Sequence, residues 1–565
     1  MKKFSQFVYR RPDGDKFAET IRGLIERFSV AESSEDQNTI MAEINLERNA
    51  FDTMVVVGQI RLDLDTTNEF YDKENDALDQ LSPVYEGLMS EFYAALLASP
   101  FRDSLEMKWG TQLFQLAELQ MKTFSPEVLA DLQEENQLSS SYVKLKASAA
   151  IQFQGEERNL SQMQPFVESS DRDIRLAAVT AVSGFYEANC EEFDGIYDKL
   201  VHLRHKIALK LGFKNFVSLA YARLGRSDYN AEMVANYRKQ VHESIVPLAT
   251  KLRERQASRL GFDVLQFHDE GFNFLSGNAV PKGNPEWIRE NGRVMYNEMS
   301  PETGEFFNFM LENELTDLVA KKGKAGGGYC TYIPDKKSPF IFSNFNGTSG
   351  DVDVMTHEAG HAFQCYRSRC FQVPEYYWPT LEACEIHSMS MEFFSWPWMK
   401  NFFIEDVDKY KFSHLAGAVL FIPYGVAVDE FQHWVYENPE VYPVERRAEW
   451  RKIEKKYLPL RKYGKNSFLG QGGFWLRQGH IFQDPFYYID YTLAQVCAME
   501  FWGKSRIDRE KAWGDYLRLC DLGGSLPFSE LVKSAGLSNP FAEGTIEKIM
   551  EPVSSWLNSI EDKKL

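Results

Sequence analysis

Two histidines and one glutamate in a short segment, His357, Glu358 and His361, carry the clearest chemical signal in the sequence. On an α-helix this spacing places both imidazoles one turn apart on the same face, with the carboxylate beside them. Such an arrangement supplies two ligands for a metal ion and one general base. The competing interpretation is a buried helix in which both histidines form ordinary hydrogen bonds.

The flanking residues predict that this segment is a helix of about residues 351–369. The turn at residues 347–350 breaks the preceding segment, and Ser349 or Asp351 can cap the helix that follows. The carboxylate of Asp351 also complements the positive end of the helix dipole. Gly360, between the two histidines, leaves room for the close approach of a backbone or a substrate.

A catalytic zinc ion takes three protein ligands and keeps one open position for water, so a third ligand is expected on a nearby helix. The segment 381–392 offers the candidates. Helical geometry ranks Glu385 and Glu382 nearly level, with His387 third. Glu392 lies on the face of Glu385 and could orient a ligand imidazole through a hydrogen bond. The alternative is a solvated acidic helix face.

The surrounding elements predict a mainly α-helical protein in which two helical lobes enclose a deep substrate channel. Helical patterns with few breakers run from about residue 39 to 260 and return from about 356 to 560. Because these amphipathic helices must bury their apolar faces against each other, a channel between two helical walls is expected. We place an N-terminal helical lobe at residues 1–190 and a catalytic domain at 191–565.

A small sheet is predicted at about residues 262–346, where Gly, Pro and alternating aromatic residues replace the helical pattern. Within it, residues 327–333 and 339–345 are typical of a β-hairpin that leads into the metal-binding helix. An exposed strand edge there would let a peptide dock by β-augmentation. A hairpin that only packs against the helix is an equally good interpretation.

Composition limits the function classes. The chain has 63 Lys and Arg against 82 Asp and Glu, a net charge of −19, which argues against binding nucleic acid or an anionic membrane through bulk charge.

The seven cysteines form no Cys-x-x-Cys pair and are expected to be reduced thiols of a cytoplasmic protein; Cys365 and Cys370 are expected to pack, not to bind metal. No apolar signal segment follows Met1, and the most apolar stretch, 415–428, contains Pro423 and is shorter than the ~20 residues that cross a bilayer.

The segment from Asn344 to Gln364, followed by Glu385 to Ser388, resembles oligoendopeptidase F and the Pz-peptidases, relatives of thimet oligopeptidase. In that family the third zinc ligand is the Glu of a Glu-x-x-Ser segment beyond the second His, which selects Glu385. The resemblance implies a zincin-like fold and one Zn²⁺ per chain, held by His357, His361 and Glu385.

The similarity extends to residues 472–491, where a His precedes a Tyr-rich segment that in the family faces the zinc. It implies that His480, Tyr488 and Tyr491 hold the substrate and stabilise its oxyanion, with Tyr487 open as a one-residue alternative. Independently, a phenol or imidazole donor near the metal can bind the tetrahedral oxygen, a role worth about 10²–10³ in rate. Aromatic core packing is the alternative for most of this cluster.

These features predict a zinc endopeptidase that cuts internal bonds of short peptides. Zinc would polarise the scissile carbonyl and lower the pKa of a water molecule toward ~7, while Glu358 takes the proton and passes it to the leaving amine. The family resemblance implies restriction to oligopeptides, and we expect roughly 5 to 20 residues from the reach of an extended chain across a domain-sized cavity. The alternatives are a carboxy-directed dipeptidase of the same fold and an inactive helical interaction scaffold; the sequence lacks the repeats of such a scaffold and does not fix the oligomeric state.

Overall fold

The chain is mainly helical with a small sheet, which confirms the predicted fold class. The structure, a computed structural model, describes residues 2–160, 162–321 and 323–565. A π-helical turn at Val241–Ile245 joins two of the helices, α11 and α12. The helices are α1 (Gly14–Val30), α2 (Ser34–Leu64), α3 (Glu69–Leu97), α4 (Arg102–Trp109), α5 (Thr111–Thr123), α6 (Leu129–Ala147), α7 (Gln164–Val167), α8 (Arg172–Ala188), α9 (Cys190–Lys210), α10 (Phe216–Arg223), α11 (Ala231–Gln240), α12 (Val246–Leu260), α13 (Pro285–Met299), α14 (Pro301–Glu312), α15 (Gly350–Ser368), α16 (Leu381–Phe394), α17 (Lys400–Phe403), α18 (Val407–Glu437), α19 (Pro443–Tyr457), α20 (Ser467–Gly470), α21 (Gly479–Gln483), α22 (Tyr488–Ile507), α23 (Arg509–Leu522), α24 (Phe528–Ser534) and α25 (Thr545–Ser559).

Two short strands interrupt the N-terminal helices, in a region with almost no strand pattern in its sequence. They are β1 (Ile151–Phe153) and β2 (Glu156–Arg158), which pair antiparallel. The turn between them, Gln154 and Gly155, has φ angles of 51° and 81°, which matches the type I′ geometry of two-residue hairpins. Strands of three residues are too short to leave a readable alternation in the sequence.

A three-stranded sheet packs against the predicted metal helix. Its strands are β3 (Thr316–Val319), β4 (Tyr329–Ile333) and β5 (Ser338–Phe345), in the order β3-β5-β4, with β3 parallel and β4 antiparallel to β5. The predicted hairpin is therefore confirmed, and β4 is an edge strand of this sheet. Both β4 and β5 contact α15.

The predicted extent of the sheet, 262–346, was too wide because helices α13 and α14 lie inside it. Asn284 and Ser300 accept capping hydrogen bonds from the first turns of these helices, and Pro285 and Pro301 follow at the first helical position. Proline is favoured there because its missing N–H would have no helical partner. These prolines start helices and do not mark loops.

Buried apolar side chains form two large cores. The smaller one joins side chains of α1–α5, between Phe17 and Ala117, to Val373 and Tyr376 from the connection between α15 and α16. The larger core takes in most of the remaining chain, including Tyr142 of α6. The lobe boundary at residue 190 stays a prediction.

The connection between α15 and α16 is also tied to the N-terminal helices by charge. Arg48 on α2 donates from Nη2 to Glu375 Oε1 at 2.6 Å, and Tyr93 on α3 donates to the same oxygen. The Arg48 and Glu375 side chains are 5% and 10% exposed. Breaking such a buried pair by removing one partner leaves an uncompensated charge, which is strongly destabilising.

One helical segment, Lys400–Glu437, is long and apolar enough to cross a membrane by length and composition. Of its most apolar stretch, 61% is buried within the molecule, and α18 packs against α12, α19 and α22. This degree of burial is what the central helix of a protein core shows.

Candidate metal centre

Helix α15 presents the His-Glu-x-x-His motif and begins at Gly350, one residue before the predicted start. Ser349 makes no side-chain capping hydrogen bond. Asp351 accepts hydrogen bonds from the backbone N–H groups of Asn346 at 2.7 Å and Gly347 at 2.8 Å. The carboxylate thus fixes the turn between β5 and α15 and sets where the helix enters the site.

Three side chains from two helices converge where the sequence predicted metal ligands. Glu385 Oε2 on α16 lies 3.2 Å from His357 Nε2 and 3.6 Å from His361 Nε2, and the ligand atoms all lie within 4.8 Å of one another. Two imidazole nitrogens and one carboxylate oxygen are a donor set that suits a catalytic zinc ion. Within the part of the chain that the structure describes, no second group of three such side chains occurs.

The protonation states of Glu385 and His361 suit a metal site, whereas burial of His357 is outweighed by its hydrogen bonds to Glu385 and Glu392, which raise its pKa. Burial raises the pKa of Glu385, but the two imidazoles and the Ser388 hydroxyl, which donates to Oε2 at 2.9 Å, outweigh it and lower that pKa to about 2. Burial lowers the pKa of His361 to about 4. A charged carboxylate and a neutral imidazole are the forms that coordinate a cation.

The two other candidate ligands on α16 lie elsewhere. Glu382 is 1% exposed; burial raises the pKa of its carboxyl, while the guanidinium of Arg226 lowers it. His387 is fully buried, and burial lowers its pKa to about 4. Neither belongs to the group of converging ligand atoms, so the geometry separates Glu385 from the two residues that helical spacing ranked beside it.

Gly360 allows α15 and α16 to approach each other closely. A Cβ atom at this position would lie 2.6 Å from the backbone oxygen of His387 and 2.6 Å from the Cα of Ser388. The predicted close approach is therefore confirmed, and the approaching group is the backbone of α16. Without that approach Glu385 could not reach the imidazoles of α15.

Glu392, about two turns beyond Glu385, forms a bridge behind the site. It accepts a hydrogen bond from His357 Nδ1 at 2.7 Å and another from His414 Nε2 at 2.7 Å. A hydrogen bond to the second ring nitrogen orients a ligand imidazole and raises its basicity. The predicted orienting role of Glu392 fits this geometry, whereas His414 on α18 was not anticipated because no local motif marks it.

Glu358 stands beside the ligands with a carboxylate suited to proton transfer. It is 7% exposed, and its Oε2 has no hydrogen-bond partner among the described residues. Burial raises the pKa of this carboxyl, His357 lowers it, and the negative charge of Glu385 raises it, so that the pKa is about 7. A general base is most effective when its pKa is near the working pH.

An aromatic wall, defined by His480, Tyr487, Tyr488 and Tyr491, faces these ligands. The His480 ring lies 5.6, 5.2 and 5.7 Å from the three tyrosine rings in that order. Tyr491 OH is 3.4 Å from His480 Nε2, and Tyr487 OH donates to Glu385 Oε1 at 3.0 Å. The predicted residues are thus brought together, and Tyr487 is the one that contacts Glu385, a candidate metal ligand.

The backbone before this wall is held in an uncommon conformation. Phe486 has φ of 70°, a left-handed geometry that bulky residues rarely adopt. Its N–H donates to Gln432 Oε1 at 2.9 Å, and its carbonyl accepts from Arg226 Nη2 at 2.7 Å. Arg226 in turn pairs with Asp490 at 2.5 Å, both side chains being fully buried. These contacts fix the direction in which Tyr487 leaves the chain.

Comparisons with known proteins cover the whole chain. Residues 4–124 match the peptidase M3 N-terminal domain and residues 296–551 match peptidase family M3. A crystal structure provisionally assigned as oligoendopeptidase F is 59% identical, with a TM-score of 0.96 and 100% of each chain covered. Pz peptidase A, solved with an inhibitor, is 59% identical with a TM-score of 0.95 over 99% of this chain and 100% of that one. A protein from Bacillus anthracis, provisionally assigned as oligoendopeptidase F, is 56% identical with a TM-score of 0.91 and full coverage of both chains. No curated protein matches the sequence.

Proposed function

Since the chain belongs to peptidase family M3 and is a peptidase, we propose that it is a zinc-dependent endopeptidase that hydrolyses internal bonds of short oligopeptides. The family predicted from the sequence is confirmed by these comparisons. The observation that carries the proposal is the convergence of His357, His361 and Glu385 beside an unpartnered Glu358 carboxylate oxygen. Family membership also favours an enzyme over an inactive scaffold.

In this proposal His357, His361 and Glu385 hold one zinc ion per chain, which would supply Lewis-acid polarisation of the scissile carbonyl and a lowered pKa for water. Glu358 accepts the proton of the attacking water on its unpartnered oxygen. It then passes that proton to the amide nitrogen that leaves. The pKa of about 7 suits both halves of this transfer.

The aromatic wall supplies the donors for the carbonyl oxygen as it gains negative charge. We assign this role to His480, Tyr488 and Tyr491, as the sequence predicted. Their imidazole and phenol groups lie together beside Tyr487, which contacts Glu385. Tyr487 orients Glu385 through its 3.0 Å hydrogen bond. Donors fixed before the reaction need no reorganisation in the transition state.

We propose short peptides as substrates and a cytoplasmic protein, because cavities between helical walls admit an extended chain and the cysteines form no pair among the described residues. A net charge of −19 disfavours nucleic acid as a partner.

Replacement of the proposed base tests the mechanism. Glu358→Gln keeps the size and removes the proton acceptor, so turnover of a peptide should fall by at least about 10²–10⁴, while zinc content, measured by metal analysis, should stay at one per chain. The matched control is Glu312→Gln, an exposed glutamate at the end of α14, which should keep both. Loss of zinc from Glu358→Gln, or unchanged turnover, would remove Glu358 from the role of base.

A further inference from the structure

Two adjoining cavities lie along α18, on the side of the metal centre where Glu392 and His414 meet. The one beside the centre, of about 360 Å³, is lined by Asp353, Glu392 and His414 among others. The second, of about 310 Å³, lies between α12, α18 and residues 461–474. Asn273, Ser413, Gly417 and Phe421 line both cavities.

The second cavity has a basic wall. Its charged lining consists of Arg253, Arg259 and Arg461 with a single carboxylate, Glu270. This surplus contrasts with the net charge of −19 for the whole chain. The lining of the first cavity contains two carboxylates, Asp353 and Glu392, together with the imidazole of His414, which is bonded to Glu392.

Two of these arginines compete for one carboxylate. Arg461 donates to both oxygens of Glu270, at 3.1 and 2.7 Å, and Arg253 donates to Oε2 of the same residue at 3.2 Å. Arg461 Nη1 lies 3.6 Å from Glu454 Oε1 but has no hydrogen-bond partner among the described residues. Glu454 is already paired with Arg451 at 2.7 Å.

The third arginine, Arg259, shares its carboxylate with a further arginine. Arg259 and Arg255 both donate to Asp562, which closes off their side of the cavity. Arg253 and Arg461, whose side chains are 21% and 10% exposed, share two carboxylates, Glu270 and Glu454, with Arg451. The arginines around this cavity therefore outnumber their carboxylate partners among the described residues.

The basic wall is also connected to the aromatic wall. Tyr424 lines the second cavity, and its hydroxyl donates to Gln478 Oε1 at 2.8 Å. Gln478 Nε2 lies 2.8 Å from His480 Nδ1. Tyr424 and Gln478 therefore link the second cavity to His480 through hydrogen bonds.

We propose that Arg253 and Arg461 form a subsite that binds a carboxylate of the peptide substrate, either its C-terminus or an Asp or Glu side chain. The proposal rests on the peptidase function proposed above. A guanidinium binds a carboxylate through paired, charge-assisted hydrogen bonds. Arg461 Nη1 has no hydrogen-bond partner among the described residues and offers such a donor, whereas Arg253 Nη1 already donates to Gln256 and to the Glu270 carbonyl.

Equilibrium binding tests the subsite separately from catalysis. Dye-labelled peptides of one neutral sequence are prepared with a free C-terminal carboxylate, with a C-terminal amide, and with that amide plus one internal Glu, and their Kd values are measured on zinc-loaded Glu358→Gln protein. Hydrogen bonds to charged groups are each worth roughly tenfold or more in affinity, so at least one carboxylate peptide should bind about tenfold more tightly than the neutral amide. A tight free acid identifies the terminus as the ligand, and a tight Glu-containing amide identifies a side chain.

Arg461→Gln in the same background should bring the Kd of the favoured peptide to that of the neutral amide and leave the amide unchanged. Arg22→Gln, which removes an exposed pair on α1, should preserve the difference; Arg253→Gln replaces Arg461→Gln if the latter does not fold. Equal Kd values for all three peptides on the parent protein would overturn the subsite. If wild type binds the acid preferentially but cuts none of the peptides, the subsite stands and the proposed peptidase mechanism falls.

Discussion

Substitution of Gly360 by Ala should damage the metal centre without touching a ligand. The new Cβ would lie 2.6 Å from two backbone atoms of α16, whereas ordinary contacts begin at 3.4 Å. Neither atom belongs to a flexible side chain, so α15 and α16 must separate by about 0.8 Å, within the range of backbone shifts that overpacking causes. The ligands lie on opposite sides of this contact and would move apart with the helices.

The magnitude follows from the tolerance of metal coordination. Ligand distances in metal sites hold to about 0.2 Å, so a separation of about 0.8 Å exceeds what the site can absorb. Disturbing the groups that position metal ligands typically costs about 10–100-fold in metal affinity. We therefore expect a loss of zinc affinity in that range, together with about 1–3 kcal/mol of lost stability from overpacking.

Competition with a chelator of known affinity measures the zinc Kd, and denaturant unfolding of the metal-free protein measures stability. Gly184→Ala, in α8, is the matched control because its Cβ would meet nothing within 4 Å; it should leave zinc affinity unchanged and stabilise the helix by up to about 1 kcal/mol. Wild-type zinc affinity in Gly360→Ala would show that the close helix contact does not set the ligand spacing.

Three further predictions test the site by substitution or by choice of substrate. Glu385→Gln should lower zinc affinity and activity, while Glu382→Gln should keep zinc; the reverse result in metal analysis would mean that the wrong carboxylate was chosen. His480→Ala and Tyr488→Phe should lower kcat by about 10²-fold with smaller changes in KM and intact zinc, and unchanged kcat in both would return the aromatic wall to packing. Short fragments of roughly 5 to 20 residues should be cut faster than the long unfolded chain they come from, and rapid cutting of the long chain would point to an open groove.

Features encoded by local spacing could be predicted from the sequence. The helical repeat places His357 and His361 on one face, and the alternation of residues 329–345 marks the hairpin, because both patterns depend on neighbours in the chain. The choice between Glu385 and Glu382 was different, since both lie near the ligand-facing side of α16. It depends on how α15 crosses α16, which is set by the contact at Gly360.

Residues that meet only through the fold left no such pattern. His414 reaches Glu392 from α18, and Arg226 reaches the backbone of Phe486 across the molecule. Neither side chain lies in a motif, and a lone His or Arg in the sequence is usually an ordinary surface or core residue. Helices α13 and α14 were missed for another reason: the prolines of residues 262–346 were counted among the signs of a small sheet, although proline also favours the first helical position.

Val373 and Tyr376 pack into the N-terminal core, and Glu375 pairs with Arg48 at its side. The N-terminal helices and the helices of the metal centre are therefore not joined as independent modules. The same short connection that spaces α15 from α16 completes the hydrophobic centre of α1–α5 and receives the charge of Arg48. The N-terminal helices therefore support the connection that sets the spacing of α15 and α16. Insertions and truncations in those helices are expected to reach the reaction centre through this connection.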